Sequence, residues 1–274
     1  MPSHCISAVD PLRPPEAFRR IGGTDSSLLV DPAFEPAIRG LDFMAHPGEP
    51  AHGRGPSVVL DLPGRSERLH VRALRHGGWF GGFWGTRIAG LGRPTRELEA
   101  TRQLRARGAP VPHPVMVWGR RHGMMWEGLL GTVYEEETRD GITLLASRPD
   151  PATIIEAARA AGSAIRKLHD AGCRHADLHV GNLLFRSGDH SSEVIVVDLD
   201  KARVGSAPGT GRRMRELMRL YRSLVKRGLL ESFERSGCNA FLDAYVDGDG
   251  NLRQELMRYW RREKLRIKLH SLTW

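Results

Sequence analysis

The chain has 274 residues, 40% of them hydrophobic and 27% charged, which suits one large domain or two lobes sharing a cleft. No run approaches the roughly 18 apolar residues that a helical membrane span needs, and Met1–Asp10 has no positive cluster followed by an apolar run, so cytoplasmic residence without a secretory signal is the expectation. A net charge of +9 from 41 basic residues, only five of them lysines, favours an anionic partner, whether nucleic acid, acidic lipid or phosphorylated substrate.

Residues 1–40 carry Pro and Gly turn signals around one strand-like run, Ser27–Val30, and read as an arm with a first strand region. Val58–Leu62 and Leu69–Val71 predict a hairpin, followed by a loop rich in Gly that contains Trp79 and Trp84. Pro94 opens a helix with Leu98, Thr101 and Leu104 at helical spacing, closed by Gly108,. Val115–Trp118 and Gly131–Tyr134 are two further strands, and Glu135–Asp140 reads as a connector, so the lobes are drawn at 41–137 and 138–274.

The second half is mostly helical in pattern. Asp150-Pro151 starts a helix carrying Ile154, Ala158, Ala161, Ile165 and Leu168 on one face and ending before Gly172,. Two short apolar β runs follow, Asn182–Phe185 and Val194–Val197. Arg212–Arg227 is amphipathic, with Met214, Leu217, Met218, Tyr221, Leu224 and Val225 along one stripe,. Strands with one early helix, then helices, predict an α+β chain: a two-lobed protein-kinase-like fold with a β-rich N-terminal lobe and a mostly helical C-terminal lobe. Three cysteines (Cys5, Cys173, Cys238) lack metal-ligand spacing, and Cys173 reads as a buried structural thiol,.

The segment His175-Ala176-Asp177-Leu178-His179-Val180-Gly181-Asn182, followed by Val194-Ile195-Val196-Val197-Asp198, carries the chemistry. A histidine two residues before an Asp, an Asn five residues after it, and a second Asp at the end of an apolar strand are the spacings of a protein-kinase catalytic loop. Phosphoryl transfer asks for alignment and neutralised charge rather than covalent help. Asp177 is the candidate base for the acceptor hydroxyl; Asn182 and Asp198 are candidate ligands of Mg²⁺, which takes hard oxygen donors. A lone Asp with a following Asn is more often a turn cap; the combination with the hairpin and the terminal Asp is not.

In the first half, Gly53-Arg54-Gly55 is the candidate glycine turn over the phosphates of ATP. The first lysine of the chain is Lys167, so the strand cation of a kinase has to be Arg72, with Glu97 on the next helix as its partner,.

These residues resemble the lipopolysaccharide kinase family over roughly Ser27–Arg227. His-Ala-Asp-Leu at 175–178 with Asn182 and Val-Asp-Leu-Asp-Lys-Ala-Arg at 197–203 carry most of the likeness; Gly53-Arg54-Gly55, residues 71–78 and residues 107–114 support it. In that family an arginine commonly stands where protein kinases put lysine. The resemblance, strongest to members acting on 3-deoxy-D-manno-octulosonic acid (Kdo), implies transfer of the ATP γ-phosphate to a Kdo hydroxyl on a lipid A precursor, an anionic glycolipid, at the cytoplasmic face of the inner membrane. Lys201, Arg203, Arg212 and Arg213 would then bind the acceptor, and the basic stretches 212–227 and 258–268 would meet acidic headgroups. A solvated helix face is the plainer reading of such charge runs. Two other readings stay open: a kinase of the same fold acting on heptose or another small hydroxyl compound, and an inactive nucleotide- or nucleic-acid-binding module. No nucleic-acid motif supports the last.

Overall fold

The computed structural model describes residues 17–39, 41, 49–50, 57–74, 87–186 and 193–271. The chain divides into two compact units, one of residues 1–106 and 112–135, the other of residues 107–111 and 136–274.

The first unit holds β1 (Arg19–Gly22), β2 (Ser26–Val30), the short helix α1 (Glu35–Ile38), β3 (Glu49–Pro50), β4 (Ser57–Asp61), β5 (Arg68–Ala73), β6 (Arg87–Ile88), helix α2 (Gly92–Ala106), β7 (Pro114–His122) and β8 (Met125–Val133). The strands form one antiparallel sheet in the order β1-β2-β7-β8-β5-β4-β3, with β6 against β8. The period of two is plain in β5. Leu69 and Val71 enter a core with Val30, Phe34, Ile38, Leu60, Val115 and Met116, while His70 and Arg72 fall on the alternate positions,. A separate small core joins Leu98 of α2 to Val117 and Leu130, so the residue next to Glu97 anchors the helix on the sheet.

Two expectations change here. β7 and β8, nine residues each, run as a single hairpin turned at Gly123, whose φ is +61°; the halves next to the turn, rich in Gly, Arg and Met, do not alternate and gave no strand signal. Helix α2 begins two residues before Pro94.

The second unit contains β9 (Thr138–Asp140), α3 (Gly141–Ala146), α4 (Pro151–Asp170), β10 (Cys173–Arg174), a 3₁₀ turn at Val180–Asn182, β11 (Leu183–Arg186), β12 (Glu193–Val196), β13 (Arg203–Val204), α5 (Thr210–Lys226), α6 (Leu230–Val246) and α7 (Gly250–Ser271). β12, β11 and β9 make a three-stranded sheet, and β10 pairs with β13. Asp140 and Asp150 each cap a helix by accepting two backbone N–H groups,. The segment expected as a plain connector is therefore strand β9 and the cap of α3. The buried arc of α5 is wider than its apolar stripe: it takes in Arg213, Glu216 and Leu220, while Val225 in the last turn is exposed.

Candidate active site

The loop that carries Asp177 is anchored before it reaches that residue. After α4 the chain turns at Gly172, with φ +88°, where a Cβ would lie 2.0 Å from the carbonyl oxygen of Gly205; only glycine fits. β10 then delivers His175, which is fully buried. Its backbone N–H donates to Glu216 Oε2 at 3.0 Å, and its Nε2–H donates to the Val197 carbonyl at 3.2 Å. Val197 N–H in turn donates to the Asn182 carbonyl at 3.0 Å. The residue before Asp198 is thus pinned on both sides, and Asp198 leaves it exposed with φ +64°. Ala176, between His175 and Asp177, has φ +58°. Left-handed conformations at two non-glycine residues cost roughly 1–3 kcal/mol each and gather at functional sites.

Asp177 sits at the centre. Its Oδ1 accepts from Arg219 Nη1 at 2.7 Å and its Oδ2 from Lys201 Nζ at 3.4 Å. Its backbone carbonyl accepts from Asn182 Nδ2 at 3.1 Å. Burial pushes its carboxyl up, but the hydrogen bond from Arg219 and the charge of Lys201 outweigh that and hold it below the ordinary carboxylate range,. It is a carboxylate at neutral pH.

Asn182, buried at the end of the 3₁₀ turn, spends its amide N–H on the loop, which leaves its amide oxygen as the group suited to a cation. Together with the exposed carboxylate of Asp198 this is a two-oxygen donor set. Among the described residues no group of three or more His, Cys, Asp or Glu could hold a metal by itself. Such a pair fits Mg²⁺, which is usually held by one or two protein oxygens together with substrate phosphates and water.

Behind the loop lies a polar chain that the sequence reading missed. Tyr245 O–H donates to His169 Nδ1 at 2.7 Å, and His169 Nε2–H donates to Glu216 at 3.3 Å. Burial lowers the His169 pKa, so the ring is neutral. Burial opposes ionisation of Glu216, yet the hydrogen bonds from His169 and His175 hold its carboxyl below the ordinary value. The lone Glu of the Arg-rich helix was the available signal; its partners lie too far along the chain to be guessed. Cys173 is the buried thiol expected, its pKa pushed up to about 12 by burial and by Glu216.

Of the expected acceptor-binding residues, Lys201 lies at Asp177, and Arg203 and Arg212 are exposed. Arg213 does not join them. It is buried, its Nη2 donating to Asp170 at 2.7 Å and its Nε to the Pro208 carbonyl at 2.8 Å, because its position on α5 faces inward. Arg219 takes the place at Asp177 that the sequence did not assign.

In the first unit Arg72 Nη2 donates to both carboxylate oxygens of Glu97, at 2.7 and 2.9 Å. Glu97 is 6% exposed and Arg72 34%. Gly53, Arg54 and Gly55 lie outside the described residues.

The profile of the lipopolysaccharide kinase (Kdo/WaaP) family matches residues 69–245. The chain belongs to this family. A 3-deoxy-D-manno-octulosonic acid kinase of Vibrio cholerae is 29% identical to it over 191 residues, 67% of this chain and 77% of that protein. One of the same name from Xanthomonas axonopodis pv. citri is 31% identical over 212 residues, 76% of this chain and 78% of that protein. A solved structure titled "WaaP in complex with acyl carrier protein" aligns with a TM-score of 0.53 at 19% identity, covering 87% of this chain and 98% of the other; that likeness is one of fold. The chain is therefore a lipopolysaccharide kinase, a phosphotransferase of kinase-like α+β fold, and the matched span contains Arg72, Glu97, Asp177, Asn182 and Asp198.

Proposed function

We propose that this family member transfers the γ-phosphate of ATP to a hydroxyl of a Kdo residue on a lipid A precursor, working at the cytoplasmic face of the inner membrane. The observation that carries the reading is Asp177: an ionised carboxylate on a loop fixed from behind by Glu216 and flanked by cations suited to an acidic substrate. The relatives named for Kdo phosphorylation supply the acceptor. No helix among the described residues is long and apolar enough to cross a membrane; the basic faces of α5 and α7 would serve attachment to acidic headgroups.

In this mechanism Asp177 orients the acceptor hydroxyl and takes its proton as the oxygen attacks the γ-phosphorus. The bond from γ-phosphorus to the bridging oxygen breaks, ADP leaves, and the proton remains on Asp177 until solvent removes it. Asn182 and Asp198 would hold Mg²⁺, which would supply positive charge to offset that of the phosphates. Arg72, held by Glu97, would add a guanidinium for the nucleotide phosphates.

The test is incubation of the purified protein with ATP, Mg²⁺ and a Kdo-lipid A precursor, read by mass spectrometry. A gain of one phosphate on the Kdo is expected. Asp177→Ala should lower turnover by about 10²–10⁴-fold with little change in ATP affinity. A glycolipid left unphosphorylated by the wild type sinks the acceptor; wild-type turnover in the variant sinks the base.

A further inference from the structure

Arg219 makes a contact that the transfer chemistry above has no use for. It occupies Oδ1 of Asp177 while Lys201 stands at Oδ2, so in the acceptor-free molecule both oxygens of the base face cations. A hydroxyl needs one of those oxygens within hydrogen-bond reach to lose its proton.

The Asp177–Arg219 pair is built to exchange partners. The Arg219 side chain is 49% exposed and that of Asp177 31%; the neighbouring fold-holding arginine, Arg213, is 10% exposed and anchored at a second point by the Pro208 carbonyl. Solvent-exposed pairs are worth little, about 0–1 kcal/mol, so a competing anion displaces one at small cost. Arg219 also stands in a row. Arg215, Arg219, Arg222 and Lys226 are all exposed and recur at i, i+4, i+7 and i+11, which puts them on one face of α5, away from the buried Met214 and Met218.

We propose that Arg219 is a specificity-determining residue that reads the acid group of the acceptor: it rests on Asp177 in the free enzyme and transfers to the acceptor's carboxylate, freeing Oδ1 for the hydroxyl. This rests on the reading that the acceptor is a sugar acid. A guanidinium takes a carboxylate through two parallel N–H···O bonds, so an acid group close to the reacting hydroxyl offers Arg219 a better-shaped partner than the single contact it leaves. A neutral sugar offers none and leaves the base paired with Arg219, which makes it a poorer proton acceptor. The acid group thus acts on turnover as well as on binding, and Arg219 acts through Asp177 as a positioning residue until the acceptor arrives.

Three acceptors test this: the Kdo-lipid A precursor, the same molecule with its carboxylate converted to the primary amide, and the same molecule stripped of its lipid phosphates. For wild type, the amide should lose about 10- to 100-fold in kcat/KM, the size of a charged hydrogen-bond pair, with part of the loss in kcat. In Arg219→Gln the preference for acid over amide should shrink to under about threefold, and Arg219→Lys should restore part of it. Removing the lipid phosphates should affect wild type and Arg219→Gln equally. An Arg219→Gln enzyme that keeps the wild-type preference for the acid overturns the assignment. So does one that loses instead its preference for the phosphorylated lipid, since the anion read would then be a phosphate. If Arg219→Gln does not fold, as judged by its melting transition, Arg219→Lys carries the comparison: a preference equal to wild type overturns the proposal and an intermediate one supports it. A wild type that phosphorylates neither acid nor amide refutes the acceptor itself, and this assignment with it, which separates that failure from the others.

Discussion

At position 72 the strand carries a guanidinium, proposed above to stand in for the ammonium that kinases ordinarily use, and it is paired with Glu97. One nitrogen of Arg72 serves both oxygens of a nearly buried Glu97, so the carboxylate holds one corner of the guanidinium. Arg72→Lys keeps the charge but substitutes a flexible stem with a point donor. Its kcat/KM for ATP is expected to fall by about tenfold, that is by about 1.4 kcal/mol, while Glu97→Gln, which removes the anchor, falls at least as far; steady-state kinetics at varied ATP check both. The pair was readable in the sequence because the absence of any lysine before Lys167 left few cations for the strand, and the following helix supplied the acid. Arg213 and Arg219 were not separable in the same way. They lie six residues apart on one helix, and only the folded chain brings Asp170 to one and Asp177 to the other.

Helices α4 and α6 approach closely because α4 carries a glycine where they touch. A Cβ on Gly162 would lie 2.3 Å from the Phe241 carbonyl oxygen and 3.1 Å from the Tyr245 nitrogen, both backbone atoms that cannot rotate away. Gly162→Ala should therefore gain nothing from helix propensity and lose about 1–3 kcal/mol to overpacking, seen as a lowered melting temperature. Since Tyr245 belongs to the chain of hydrogen bonds behind the loop that carries Asp177, the same variant should lose turnover more than its folded fraction explains. The apolar face of α4 was plain from its spacing, but nothing in the spacing distinguishes a glycine that packs from one that bends. Strand β9 and helix α3 escaped notice for a related reason: Asp140 reads locally as a linker residue, whereas it both pairs with Leu184 of β11 and caps α3.

For the molecule as a whole, the division into a β-rich and a helical unit was legible because hydrophobic periodicity changes from two to 3.6 along the chain. The polar chain inside the second unit was not, since hydrogen bonds spanning 41 to 76 residues leave no local trace. That chain contributes to how stability responds to acid, beside His70, Asp170 and Asp177, whose pKa values are also lowered. His169 is neutral when folded because burial holds its pKa below the ordinary 6.5, so as pH falls through that value the unfolded chain binds the proton first and stability declines. Glu216, although burial opposes it, is held below its ordinary 4.5 by His169 and His175; the stability this contributes is present above 4.5 and is lost as pH falls through its folded value. Tyr245, raised to about 12 by burial, keeps its proton throughout and goes on donating to His169. A chain already at +9 also gains further self-repulsion as its carboxylates protonate. Melting temperature should therefore be level from about pH 8 to about pH 7, decline below 6.5 and decline more steeply below 4.5,. His169→Gln, which can still donate toward Glu216 but does not titrate, should shrink the first decline to the share of His70, whose pKa burial and Arg72 also hold below 6.5, and leave the second,. If its melting curve keeps the wild-type slope between 6.5 and 4.5, some other group is taking up the proton.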